Sequence, residues 1–348
     1  MAVLDLTSML RKHHLTFLFL ILASYACTTH DAPTVHRGFY YWKSRFALDS
    51  TEKNALQQLR TEKLYIKLFD VAWDEPTQQP MPVAKINFTQ TFPAKQQYVP
   101  VVFITNETLQ KATPKDIDNL GRNIPKLISS ITENNQLPAP EEIQLDCDWT
   151  AGTKDRYFLL LKQLRKTAFF QGKTLSVTIR LHQVKYTQEA GIPPADRGLL
   201  MCYNMGNLQQ PATQNSIIDP ATLKQYTGRL NEYPLPMDIA LPLFSWWVWF
   251  EGNEYKGLIH ADALQLPVDA TKKWRCQSDT TINGYTFKQG DWLRYEDAPQ
   301  ESIEQVISSL QSQLKPDNRN IILYHLDAKS LQQYAIPTLE SFYTRFHH

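Results

Sequence analysis

Asp146 and Asp148 stand two residues apart in a short apolar run, Ile143–Trp149, with Thr150 directly after it. Successive side chains of an extended strand alternate between two faces. Ile143, Leu145 and Cys147 therefore share one face, and Gln144, Asp146, Asp148 and Thr150 share the other. The run Thr174–His182 sorts the same way, with Leu175, Val177, Ile179 and Leu181 against Ser176, Thr178, Arg180 and His182. Leu64–Val71 sets Leu64, Ile66 and Leu68 opposite Tyr65, Lys67 and Phe69. Gly198–Met205 turns Met201 and Tyr203 to the polar side, with Asn204 following. Two neighbouring carboxylates can split their pKa values into an acid and a base, which is what general acid–base chemistry requires. Arg180 acts against this, because a cation alongside holds both carboxylates ionised. Two cations and two anions also make a balanced internal network, so the cluster reads either as a ligand site or as buried structural charge.

Aromatic residues surround these runs in the sequence. Tyr40, Tyr41 and Trp42 end one strand-like run, and Trp246, Trp247 and Trp249 follow another. Such rings offer apolar faces beside polar tips, a lining that suits a ligand with apolar ring faces and hydroxyl edges, such as a sugar. The other reading of Trp247 and Trp249 is packing between an insertion and the main body.

The elements that must position these residues follow from periodicity. Eight strand-like runs alternate with helical patterns: Arg37–Trp42, Leu64–Val71, Tyr98–Thr105, Ile143–Trp149, Thr174–His182, Gly198–Met205, Met237–Trp246 and Asn320–Leu326, taken below as strands 1 to 8. Helices are predicted over Ser50–Arg60, Pro114–Glu133, Thr153–Phe169, Pro220–Leu230, Glu301–Leu314 and Lys329–Phe346, several opening on caps at Asp49, Thr113 and Asp219. Eight such units predict an α/β fold, a closed (β/α)8 TIM barrel, over residues 36–348. An open doubly wound sheet is the alternative, and no Gly-rich phosphate turn follows strand 1 to support it. Residues 272–296, with Asn283-Gly284 and Gln289-Gly290 between aromatic runs, predict a β-hairpin insertion after strand 7. In a barrel the outward faces are covered by helices, so the polar faces sorted above point into the lumen and toward the C-terminal mouth. On strand 7 this turns Phe244 and Trp246 inward, whereas strands 1 and 8 are ambiguous.

The chain has 348 residues, 43% hydrophobic, with a formal net charge of +1. That length allows one large domain, and the charge balance gives no electrostatic footprint for nucleic acid. Residues 1–27 read as a signal segment: Arg11, Lys12, His13 and His14, then an apolar stretch from Leu15 to Ala26 too short to span a bilayer, then Cys27. Residues 28–35 serve as a tether. Cys147, Cys202 and Cys276 remain, an odd number that predicts no disulfide framework. No His and Cys spacing predicts zinc, His182 alone being too little, and no cofactor motif is present.

Two of these segments resemble a known family. Ile143–Thr150 is similar to the D-x-D-x-E strand of chitinase-type (family 18) glycoside hydrolases, and Met201-Cys-Tyr203-Asn204 resembles their M-x-Y-D motif. The mature chain also looks like uncharacterised bacterial lipoproteins with glycosidase-like barrels. The segment Ser24–Cys27 resembles a lipobox, although Ser24 stands where leucine is usual. This resemblance implies lipidation at Cys27, a membrane anchor, and an exported lipoprotein facing the periplasm or cell surface, with ordinary secretory cleavage as the alternative. The family resemblance implies Asp146, Asp148 and Tyr203 at a reacting centre and a carbohydrate ligand. Its proton donor does not carry over, because Thr150 replaces the glutamate and Asn204 replaces the strand-6 aspartate. A loop carboxylate would have to substitute, Glu251 first, with Asp70, Asp74, Glu296 and Asp297 behind it. Lys67, Arg180, His182, Asn204, Tyr41, Trp42 and Trp246 are the expected ligand contacts. The competing expectation is a non-catalytic binding or assembly lipoprotein, with Asp146 and Asp148 sealed against Arg180 and Lys67 and the insertion facing a protein partner.

Overall fold

The computed structural model describes residues 34–346. Calls on residues 1–33, including the signal segment, Cys27 and most of the tether, lie outside the described residues. Eight parallel strands close into a barrel: Val35–Tyr41, Lys63–Asp74, Gln97–Ile104, Glu142–Asp146, Thr174–Ile179, Arg197–Met201, Met237–Pro242 and Arg319–Tyr324. Strand 1 pairs with both strand 8 and strand 2, which completes the ring. The strands form because apolar side chains cover their outward faces, and helices seal those faces from water.

The helices start where the sequence caps them. Asp49 and Thr113 each make a reciprocal capping box, with Glu52 and Asp116, and Asp219 caps the helix Pro220–Thr227. The last predicted helix is in fact two, Ala328–Leu331 and Ile336–Thr344, because Pro337 cannot continue a helix and instead opens the second.

Strand 2 departs from simple alternation. Its register against strand 3 shifts between Lys67 and Phe69, a bulge that leaves Leu68 as the extra residue. Parity flips there. Phe69, expected inward, turns out toward a side groove of about 480 Å³ against the helix Pro114–Asn134, and Asp70 turns into the lumen beside Lys67. The end of strand 2 also carries a short antiparallel partner, Gln79–Val83, in which prolines occupy alternate positions 80 and 82.

Strands 1 and 8 resolve as well. Tyr40, Asn320 and Tyr324 face the lumen, while Phe39, Tyr41, Ile321 and Leu323 belong to the layer under the helices. Tyr41 is therefore not a rim residue. It is fully buried, its hydroxyl donates to the Arg45 carbonyl at 2.7 Å, and its ring lies against Phe46.

Polar groups rather than branched aliphatics fill the lower lumen. Glu142 takes Lys63 at 2.9 Å, the Ser176 hydroxyl at 2.7 Å and the Tyr65 hydroxyl at 3.1 Å. Asp238, 1% exposed, receives Arg197 through two nitrogens at 2.6 and 3.1 Å. It also receives the backbone and side-chain N–H groups of Asn320 at 2.6 and 2.8 Å.

The insertion after strand 7 is larger than a hairpin. Trp246–Glu251 pairs antiparallel with Glu254–His260 and Trp292–Glu296, and the latter pairs with Lys273–Arg275. The predicted hairpin is one part of it: Thr280–Ile282 and Tyr285–Phe287 join through Asn283-Gly284, both at positive φ as a two-residue turn requires. Trp247 and Trp249 belong to this insertion. The Trp247 indole donates to the Leu264 carbonyl, and that of Trp249 donates to Asp291.

Candidate functional site

A cavity of about 1300 Å³ opens at the C-terminal end of the barrel. Its centre holds Asp146 and Asp148 from strand 4 and the turn after it, Arg180 after strand 5, and Lys67 and Asp70 from strand 2. Tyr203 and Asn204 follow strand 6, and Tyr40, Trp42 and Tyr324 come from strands 1 and 8 and their ends. The insertion supplies one wall through Trp246, His260, Asp262 and Tyr295. Of the expected residues, the fold thus brings together Asp146, Asp148, Tyr203, Lys67, Arg180, Asn204, Trp42 and Trp246. A sealed charge network requires that no opening stand over the carboxylates, and the cavity over them rules that arrangement out.

Six expected residues are not in the cavity lining, the reserve carboxylates Asp74, Glu296 and Asp297 together with Glu251, His182 and Tyr41. Glu251 ends the first strand of the insertion, half exposed and paired with Lys256 at 2.7 Å, and is not part of the cavity lining. The cause is the size of the insertion: the segment after Trp246 continues as a strand away from the mouth instead of looping over it. His182 is not on strand 5, which ends at Ile179, but in the short helix Leu181–Lys185 outside the lining. Burial and the neighbouring Arg180 lower its pKa. Tyr41 faces the helix layer, as described above.

Asp146 and Asp148 differ in surroundings. Asp146 is buried and accepts the Thr178 hydroxyl at 2.7 Å. Burial pushes its pKa up to about 7, the charges of Asp148 and Asp70 adding to the rise while the Thr178 bond and Arg180 oppose it. The expectation that Arg180 holds both carboxylates ionised therefore fails for Asp146, where desolvation outweighs the cation. Asp148 is half exposed, with Arg180 Nε 3.4 Å from its Oδ1. Two residues apart, the end of strand 4 and the turn after it thus present one buried carboxyl with a raised pKa and one carboxyl open to the cavity. At the third position Thr150 donates its N–H to the Thr153 hydroxyl and brings no carboxyl.

The other charges in the cavity have close partners. Lys67 lies 2.9 Å from Asp70 and 5.6 Å from the Trp42 ring centre. Lys43 pairs with Glu52 and stands 3.6 Å from Asp327, and Lys329 pairs with Asp262 across to the insertion. His325 is kept neutral by burial, which lowers its pKa to about 4, and its Nδ1 finds no partner among the described residues. Sequence reasoning missed Tyr324, His325 and Asp327 because Ile321, Ile322 and Leu323 follow one another and leave the parity of this run unsettled, and Asp327 lies beyond it.

The aromatic floor is continuous. Tyr324 touches Tyr203 at 5.0 Å between ring centres, Phe244 at 5.5 Å, Tyr40 at 5.6 Å and Trp42 at 5.8 Å. Trp246 extends this floor toward the insertion through Phe244 at 5.1 Å. A buried ion pair fixes its indole. Glu296 accepts Trp246 Nε1 at 2.7 Å and Arg294 Nε at 2.6 Å, and bonds Ser216 as well. Arg294 also donates to the Gln210 carbonyl in the loop after strand 6, so the same pair ties the insertion to the barrel. Replacing Glu296 by glutamine keeps an acceptor for Trp246 but removes the charge opposite Arg294. A loss of about 2 kcal/mol in urea unfolding is expected, together with a shift in Trp246 fluorescence that a Trp246→Phe background lacks.

Among the described residues, no group of three or more His, Cys, Asp or Glu side chains is arranged to hold a metal ion. No helix among them is long and apolar enough to cross a membrane.

No protein-family model matches the sequence, and no curated protein matches it either. Solved structures do resemble the fold. The Bacillus cereus spore cortex-lytic enzyme SleL superposes with a TM-score of 0.52 at 15% identity, covering 91% of this chain and 75% of that one. A chitinase from Chromobacterium violaceum gives 0.50 at 11% identity, covering 86% and 98%. The Ostrinia furnacalis Group IV chitinase gives 0.50 at 11% identity, covering 90% and 100%. At these identities the likeness is one of fold: a closed eight-stranded barrel of the kind found in chitinases and SleL.

Proposed function

We propose that this chain is a glycan-active barrel that holds a saccharide in the cavity at its C-terminal mouth. The observation that carries the reading is the make-up of that cavity: a continuous aromatic floor, with carboxylates and a guanidinium at its centre. Sugar rings stack their C–H faces on aromatic side chains while their hydroxyls take hydrogen bonds from charged groups, and this cavity offers both. The fold likeness to a spore cortex-lytic enzyme and to chitinases supports the same ligand class.

Holding rather than cutting is the better-supported form, because Thr150 leaves the leaving-group oxygen without its usual donor. Hydrolysis is the second reading, favoured by one arrangement: Asp146, whose pKa burial raises to about 7, lies in the same cavity as Asp148 and Asp70. The chain beginning after Cys27, screened against chitin and peptidoglycan oligosaccharides for binding and for product release, decides between them. Binding without release is expected. Release that is lost in Asp146→Asn establishes the hydrolytic form, and absence of any binding overturns the reading as a whole.

The sequence of residues 1–27 supports export and lipid attachment at Cys27 as the setting for this activity. Metabolic labelling with a tritiated fatty acid in a bacterial host is expected to mark the chain and to leave Cys27→Ser unlabelled. Equal labelling of both would overturn the anchor.

A further inference from the structure

One pair in the cavity differs from the rest. Lys67, Lys43 and Lys329 each have a carboxylate in direct contact, at 2.9 Å for Lys67–Asp70. Arg180 and Asp148 approach only to 3.4 Å, through Nε. Among the described residues neither the Arg180 guanidinium nor the Asp148 carboxylate takes part in a hydrogen bond to protein, and the bonds of Arg180 are those of its backbone, its N–H to the Gln183 side chain and its carbonyl from the Gln183 and Val184 N–H groups. A guanidinium carries five N–H donors in a planar fork, and an ionised carboxylate accepts through two oxygens. Both line the cavity, and the Arg180 side chain is only about a quarter exposed. Charged groups so placed without hydrogen bonds form a donor and acceptor set left open to the cavity.

Their local backbone fixes where they stand. Strand 5 ends at Ile179, and Arg180 caps the short helix that follows, so its side chain leaves from a defined turn. Asp148 lies just past strand 4, between Cys147 and Trp149, both fully buried. The Trp149 indole donates to the Ala190 carbonyl and its carbonyl accepts from Gln183, the residue that also takes the Arg180 N–H. One side chain, Gln183, thus braces both turns.

We propose that Arg180 and Asp148 work together as a two-headed clamp on neighbouring oxygens of an uncharged sugar ring. The guanidinium donates to one ring oxygen or hydroxyl, and the carboxylate accepts the proton of the adjacent hydroxyl. An anionic sugar is disfavoured, because any group reaching Arg180 also meets Asp148. This rests on the saccharide reading above and names the residues that select the ligand. The cation just past strand 5 is suited to gripping oxygen atoms rather than to protonating them.

The test is calorimetric titration of the same chain with tetra-N-acetylchitotetraose and with a hyaluronan tetrasaccharide, which carries carboxylates. The wild-type chain is expected to bind the uncharged probe with an affinity that does not change between low and high salt. Arg180→Gln and Asp148→Asn are each expected to weaken it about 10- to 100-fold, the usual scale for one lost charge-assisted hydrogen bond, with melting temperatures close to wild type. If Arg180→Gln fails to fold, Arg180→Lys, which keeps the charge but loses the fork, takes its place, with a loss of at least about fivefold expected. Wild-type binding that both variants retain within about twofold overturns the clamp while leaving the saccharide reading intact. Tighter, strongly salt-dependent binding of the hyaluronan probe overturns the uncharged-ring assignment. Binding of neither probe by the wild type removes the saccharide reading, and the clamp with it.

Discussion

Asp238→Ala is expected to destabilise the barrel by about 3–5 kcal/mol, the cost typical of stranding one partner of a buried ion pair. The carboxylate lies at the bottom of the lumen, where it accepts from Nε and one Nη of Arg197 and from the backbone and side-chain N–H groups of Asn320. Removing it strands the two Asn320 donors and leaves the largely buried Arg197 guanidinium with the Asn318 carbonyl in place of its carboxylate. Asp238→Asn retains one acceptor oxygen and is expected to lose less than the alanine variant. Urea unfolding followed by tryptophan fluorescence measures both. Equal stability of wild type and Asp238→Ala would show that water enters the lower lumen. The cavity is remote from this layer along the strands, so any glycan binding that survives in the folded fraction is expected to be unchanged.

Asp146→Asn is expected to raise stability, and only at neutral and alkaline pH. The folded carboxyl has its pKa raised to about 7, above the ordinary 3.8, so between those values the folded state binds more protons than the unfolded one. Stability therefore falls as pH rises through that window, and above it the full cost of an ionised buried carboxylate is present. The amide never ionises and escapes this cost while still accepting from Thr178. The difference between variant and wild type is expected to be near zero at pH 4 and to grow to roughly 2–4 kcal/mol at pH 8. Thermal unfolding across that range checks the sign. A variant less stable than wild type at pH 8 would mean that Asp146 is stabilised as an anion by Arg180.

The barrel was legible because its strands carry one-sided apolar patterns. Ile143–Cys147 and Leu175–Ile179 alternate cleanly, and strand 4 delivers Asp146 to the lumen as alternation requires, while Asp148 and Arg180 keep that side in the turns just past strands 4 and 5. Where a run is apolar on both faces, parity carries no information. Ile321, Ile322 and Leu323 follow one another, so the inward turn of Tyr324 could not be read. Tyr40 and Tyr41 posed the same problem, and the wrong one of the pair was placed at the rim. The bulge at Leu68 is a local backbone event between two large apolar residues, and no change of residue type marks it. The insertion was read short because Trp246–Glu251 is aromatic on both faces and resembles a continuation of strand 7 more than a new sheet. Glu251 was misplaced as a direct result. The caps at Asp49, Thr113 and Asp219 were readable because they depend on residues within one turn.

The short strand Gln79–Val83 is the unshared margin of the sheet, and Met81 and Val83 on it are both substantially exposed. An apolar margin of this kind ordinarily recruits the strands of other chains and seeds aggregation. Here the two prolines fall on alternate residues, and alternate residues of a strand direct their backbone N–H groups to the same side. The ladder with strand 2 is formed, so Gln79, Met81 and Val83 supply its donors and positions 80 and 82 face the open side. A foreign strand arriving there would meet carbonyls and pyrrolidine rings with no N–H to bind. Along this margin of the barrel sheet, strand-to-strand pairing with another chain is therefore disfavoured. Replacing both prolines with threonine would remove that immunity without disturbing the barrel.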